Sequence, residues 1–296
     1  MKKSAILLSL FAIITLKLCA KGVDDKISFN RPYFLISDAN KNINRRDFIQ
    51  SHFNKLDQNI YLSSINRNLF ISKIETINFN KVASANFEEI KGLNEFYIGN
   101  HKQAINCFRT AQFACDSLRY PQQFASINGN LAKLYFMINN LEQAAFYNKK
   151  AKQYYAAHNF RLYFNCLLLQ SKIALANGST SLSESIILKQ ALPASGKFSS
   201  KIPEFNCFLQ LGKTYLMAKS LVQAKWFFIQ AFSVAEKINY RNGKIESLLL
   251  LAKSKILLKD YQIAAMDLRK AEGLINASSA VYLPDLNHYL ALVKGK

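Results

Sequence analysis

The sequence predicts an all-α fold, an α–α superhelix in which helical hairpins stack at a 40-residue period. Three observations predict it. Alanines recur at Ala111, Ala151, Ala191, Ala231 and Ala271, a constant stride of 40. Two further ladders run in phase with them. One is Ala104, Ala144, Ala224 and Ala264, interrupted by Glu184; the other is Gly92, Ala132, Gly212 and Ala252, interrupted by Lys172. Finally, 296 residues contain only 10 Gly and 5 Pro, too few for a turn-dense β architecture and suited to long helices. With 50% of residues hydrophobic, the chain can bury a sizeable core, which excludes general disorder.

The elements follow in order. Residues 1–20, MKKSAILLSLFAIITLKLCA, carry a basic start, an apolar run from Ala5 to Leu16 and a small residue at Ala20, the three parts of a secretory leader. The run is too short to span a bilayer at about 20 residues per helix. Retention as a membrane anchor and acylation at Cys19 stay open, although Lys17 and Leu18 suit acylation poorly. Residues 21–44 are polar and read as an extended lead-in. Residues 45–84 lack the alanines and read as degenerate capping helices that shield the first unit. Five units then occupy 85–124, 125–164, 165–204, 205–244 and 245–276, and 277–296 reads as a closing helix.

Within a unit, Ala104 and Ala111 lie two turns apart on one helix face. Small side chains there let a partner helix approach closely. The Gly92 ladder does the same from the preceding helix. Unit 165–204 is degenerate, and its first helix comes into phase only with two residues inserted near Gly178-Ser179-Thr180.

This spacing resembles the tetratricopeptide repeat (TPR) family. Leu211, Gly212, Tyr215, Ala224, Phe228 and Ala231 match its pattern in the clearest unit. Leu131, Ala132, Tyr135, Ala144 and Ala151 match in another, Leu251, Ala252, Tyr261, Ala264 and Ala271 in a third, and Gly92, Gly99, Ala104, Phe108 and Ala111 in the first. The period departs from the family's usual 34, and its proline near the unit's end is largely missing. Together with the leader, the resemblance implies an exported bacterial TPR protein. It also implies that first helices line a concave groove faced by Asn130, Lys133, Asn206, Gln210, Lys213 and Lys253. Phe96, Tyr97, Phe136, Met137, Leu216 and Met217 would lie beside them, either as apolar pockets or as core.

Catalytic chemistry finds no foothold. His52, His101, His158 and His288 stand apart, with no HExxH arrangement. Cys107, Cys115, Cys166 and Cys207 form no CxxC, and they read as buried thiols with a Cys166–Cys207 bridge left open. No glycine-rich phosphate loop and no nucleophile–base pair stands out. No cofactor, metal site or enzymatic activity is therefore expected.

Lys+Arg is 39 against 19 Asp+Glu, a net charge of +20 spread along the chain, which favours acidic partners. The expected function is a non-enzymatic interaction scaffold outside the cytoplasm, periplasmic or secreted, that holds a peptide or protein in its groove. Nucleic acid is disfavoured as a partner for want of a recognition motif. Membrane contact through the leader or the basic surface stays open, as do a sensory module of an envelope signalling system and, behind it, an enzyme on an α/α scaffold.

Overall fold

The computed structural model describes residues 81–97, 99–115 and 120–295. The leader, the lead-in and most of the segment read as capping helices lie outside the described residues. Five hairpins follow one another. Helix α1 (Lys81–Tyr97) pairs with α2 (His101–Ala114), and α3 (Pro121–Met137) with α4 (Leu141–His158). Helix α5 (Phe160–Ala176) pairs with a composite arm made of α6 (Thr180–Ile186), a π-helical turn (Ile187–Ala191) and α7 (Leu192–Ser195). Helix α8 (Ile202–Met217) pairs with α9 (Leu221–Lys237), and α10 (Arg241–Leu257) with α11 (Tyr261–Leu274). A 3₁₀ segment (Ala277–Tyr282) and α12 (Leu283–Lys294) cover the last hairpin, with Tyr282 and Leu286 buried against it. No strand occurs among the described residues.

The hairpin turns repeat one local solution. Gly99, Asn139, Gly178, Lys219 and Lys259 each sit at positive φ, between 59° and 87°. The amide of the next residue then donates to the carbonyl five positions back, as from Asn140 to Tyr135 at 2.8 Å and from Asp260 to Lys255 at 2.8 Å. This closes the first helix with a Schellman turn. The donors, Asn100, Asn140, Ser179, Ser220 and Asp260, are also the residues that precede the second helix. Their short polar side chains suit that position.

Counting from these turns gives the register. Seven residues before them stand Gly92, Ala132, Ser171, Gly212 and Ala252; five after stand Ala104, Ala144, Ser183, Ala224 and Ala264. All ten are buried. Ser171 and Ser183 therefore fill the rungs that Lys172 and Glu184 seemed to break. The expected two-residue insertion near Gly178 does not exist. Instead, Asn159 alone joins α4 to α5, which leaves the third unit one residue early. The π-turn gives that residue back, because a π-bulge adds one residue to a helix. Ala191 thus returns to the crossing, fully buried. The two serines join their helices directly, Oγ to Oγ at 2.8 Å, and Ser183 reaches Thr214 Oγ1 of the next hairpin at 2.9 Å.

The crossings are matched in size. A Cβ on Gly212 would lie 2.4 Å from the Phe228 ring, and one on Gly92 would lie 3.1 Å from that of Phe108. Where the rung is Ala132, Ser171 or Ala252, the place of the ring is taken by Asn148, Ile187 or Leu268. A second repeated contact varies in chemistry. It is a ring stack in Tyr135–Tyr147 (5.5 Å between centroids) and Tyr215–Phe227 (5.2 Å), and a largely buried ion pair in Lys255–Asp267 (2.5 Å).

Hairpins join through first helices. Helix α3 packs on α5, α5 on α8 and α8 on α10, while each second helix packs on the first helix that follows it. The first helices therefore take the short inner side of the stack, and the second helices the outer side.

Candidate binding groove

Six residues before each turn, on the inner side, come Leu93, Lys133, Lys172, Lys213 and Lys253. Four consecutive first helices thus present lysine at one position. The interval of 40 reveals Lys133, Lys213 and Lys253 but hides Lys172, because the third unit is one residue early. Each of the four is partly exposed. Lys213 Nζ bonds Glu246 Oε1 at 2.8 Å, joining α8 to α10. Burial pulls the Lys172 ammonium down to about 8; the Lys213 charge adds to this and the Glu246 carboxylate opposes it. Lys253 makes no ion pair among the described residues.

The amides assigned to the groove lie deeper. Asn130, Asn206 and Gln210 are buried. Asn130 Nδ2 donates to the buried carboxylate Glu89 Oε1 at 3.3 Å, and Ser126 Oγ donates to the same oxygen at 2.7 Å. Asn130 thus ties α3 to α1. The amide nitrogens Asn206 Nδ2 and Gln210 Nε2 have no hydrogen-bond acceptor. Of the apolar residues, Phe96 is buried, Phe136 and Leu216 are partly buried, and Met137 and Met217 are about half exposed.

A cavity of about 30 Å³ opens between α3, α4 and α5. It is lined by partly exposed Lys133 and Asn165 and by buried Asn148, Tyr155 and Cys166, among others. Asn148 Nδ2 donates to the Cys166 carbonyl at 3.0 Å, whereas its Oδ1 has no donor. Burial pushes the Cys166 thiol up to about 12 and the Tyr155 phenol well above its ordinary value, so both are neutral. Cys166 and Cys207 are separate buried thiols. No cluster of three or more metal-ligating side chains occurs among the described residues. No described helix is long and apolar enough to cross a membrane.

The chain matches no protein-family model and no curated protein. Solved structures do resemble it. The apo form of RapI shares 15% identity over 79% of this chain and 67% of its own, with a TM-score of 0.60. A Rap protein complexed with Competence and Sporulation Factor shares 15% over 84% and 73%, with a TM-score of 0.63. NprR in complex with its cognate peptide NprX shares 13% over 83% and 78%, with a TM-score of 0.58. These neighbours also correct one expectation. They point against export to the periplasm or secretion as expected from residues 1–20. With its serial hairpins, its repeated turn and these neighbours, the chain is a TPR-like α–α superhelix.

Proposed function

We propose that the inner face is a non-enzymatic docking groove for an extended acidic segment of a peptide or protein. The row Lys133, Lys172, Lys213 and Lys253 carries this reading. Four ammonium groups repeat with the helices, so an extended chain laid across the stack meets one at each of the last four hairpins. Ammonium–carboxylate hydrogen bonds are shorter and stronger than neutral ones. Glu246 already supplies Lys213 with such a carboxylate from within the protein. Two of the solved neighbours support the reading, since one was captured with Competence and Sporulation Factor and the other with peptide NprX.

The test is fluorescence anisotropy with labelled hexaglutamate, and hexaglutamine as the neutral control. Hexaglutamate binds, more weakly as salt rises. Changing Lys133, Lys172, Lys213 and Lys253 together to Glu abolishes binding while helicity by circular dichroism is retained. Affinity also falls as pH rises through about 8, where Lys172 gives up its proton. Equal binding by the charge-reversed protein would remove the lysine row from the reading.

A further inference from the structure

The outer side of the stack carries a repeat of its own. Seven positions after the turn, the second helices of three hairpins place Phe146, Trp226 and Met266, each about half exposed. This position lies two residues beyond the buried rung of Ala144, Ala224 and Ala264. That is a rotation of about 200° at 3.6 residues per turn, so it points away from the crossing. One turn to either side, α9 adds exposed Val222 and Ile229, and α11 adds Ile263. The composite arm has Ser185 at this position and exposes Leu182 and Leu188 around it. Cations share the face. Lys149 and Lys150 are exposed one turn beyond Phe146, Lys189 stands next to Leu188, and Arg269 and Lys270 lie one turn beyond Met266. Lys150 Nζ is 4.3 Å from the centroid of the Phe146 ring. The exposed carboxylates of these helices, Glu142, Glu236 and Glu272, sit near helix ends, and Glu184 is held by the Tyr215 hydroxyl.

We propose that this outer side is a docking surface for an anionic lipid bilayer. It does not depend on the groove, which lies on the inner side. Cations with no carboxylate among them complement the headgroups of an acidic membrane. Side chains that project from the outer side of a curved stack form no pocket for a partner protein to fill. A bilayer needs none, because its fluid acyl chains close around the groups that enter. Binding strength at such a surface grows with the apolar area that is buried and with the attraction to anionic lipid. An indole ring favours the headgroup level. Lysine stems let their ammonium groups reach the phosphates while the neighbouring apolar groups enter the acyl boundary. A second copy of the chain is a poorer occupant, because face-to-face pairing sets lysine against lysine.

Trp226 is the only tryptophan of the chain, so its emission reads this surface directly. Vesicles of mixed phosphatidylcholine and phosphatidylserine, added to the full chain, shift the emission to shorter wavelength, and brominated acyl chains quench it. Salt weakens the binding, and phosphatidylcholine alone gives no shift. Changing Ile229 and Met266 together to Glu leaves helicity by circular dichroism unchanged, because both side chains are exposed. The same change lowers vesicle affinity in co-sedimentation by at least about tenfold. Co-sedimentation with the Trp226 emission unmoved overturns the proposal, since residues 1–20 or the groove lysines would then make the contact. Absence of vesicle binding overturns it, as does equal binding to phosphatidylcholine alone or equal binding by the doubly substituted protein. A blue shift that grows with protein concentration in the absence of vesicles assigns the surface to a second copy and overturns it as well.

Discussion

Phe228 occupies the volume that a methyl group on Gly212 would need, at a separation no packed carbon tolerates. Gly212→Ala therefore overpacks the α8–α9 crossing and destabilises by about 1–3 kcal/mol. Adding Phe228→Leu recreates the Ala252–Leu268 combination of the next hairpin and recovers most of the loss. Thermal melts of the two single variants and the double variant measure the coupling. Additive losses would mean that the ring is not the obstacle. The small rungs are legible in the sequence because a crossing tolerates little else. The side chains opposite them are legible only in part: Phe108 and Phe228 follow the family pattern, whereas Asn148, Ile187 and Leu268 depart from it and only their fit to the facing rung decides among them. The burial of the groove amides is hidden from the sequence for a related reason. The family resemblance puts Asn130, Asn206 and Gln210 on the inner arc, yet packing of successive first helices buries that part of it. Glu89, the acceptor that claims Asn130, has no sequence signal linking it to its partner.

At the scale of one element, the composite arm after α5 shows how a miscount is absorbed. Ser183 and Ala191 are eight residues apart, where the other second helices space the same two rungs by seven. Deleting the exposed Gln190 makes the spacing seven and allows a continuous α-helix. The variant keeps its fold and melts at or above the wild-type temperature. Deleting Gln230 from the regular helix α9 does the opposite. It moves Phe232 into the place of Ala231 at a closed crossing and lowers the melting temperature sharply. If both deletions were equally harmful, the π-turn would have some role other than correcting register. A fixed stride cannot expose such a pair of offsetting changes. Ala191 lies beyond both and keeps perfect time, while Lys172 lies between them and drops out of its own row.

At the scale of the molecule, the extensive helix contacts join a hairpin to itself or to the next one. Stability in such an array is a sum of unit and neighbour terms, not the property of one central core. The groove is a product of the same serial order. No single hairpin has more than one lysine of the row, and the row exists because five equivalent turns place their first helices alike. The sequence carried this architecture well, since periodicity is what a serial stack writes into a chain. It carried location poorly: residues 1–20 pointed to export, and the solved neighbours point the other way.

Serial cohesion has a mechanical consequence. Under tension applied at its ends, a chain without distant contacts can yield one hairpin at a time, like a spring that uncoils turn by turn. Each released unit of 40 residues adds about 130–140 Å of contour at 3.3–3.6 Å per residue. Optical-trap extension should show steps of that size at modest force, and a single concerted rupture would contradict them. A partner lying along the lysine row would bridge several coils and merge their steps, so elasticity itself would report occupancy.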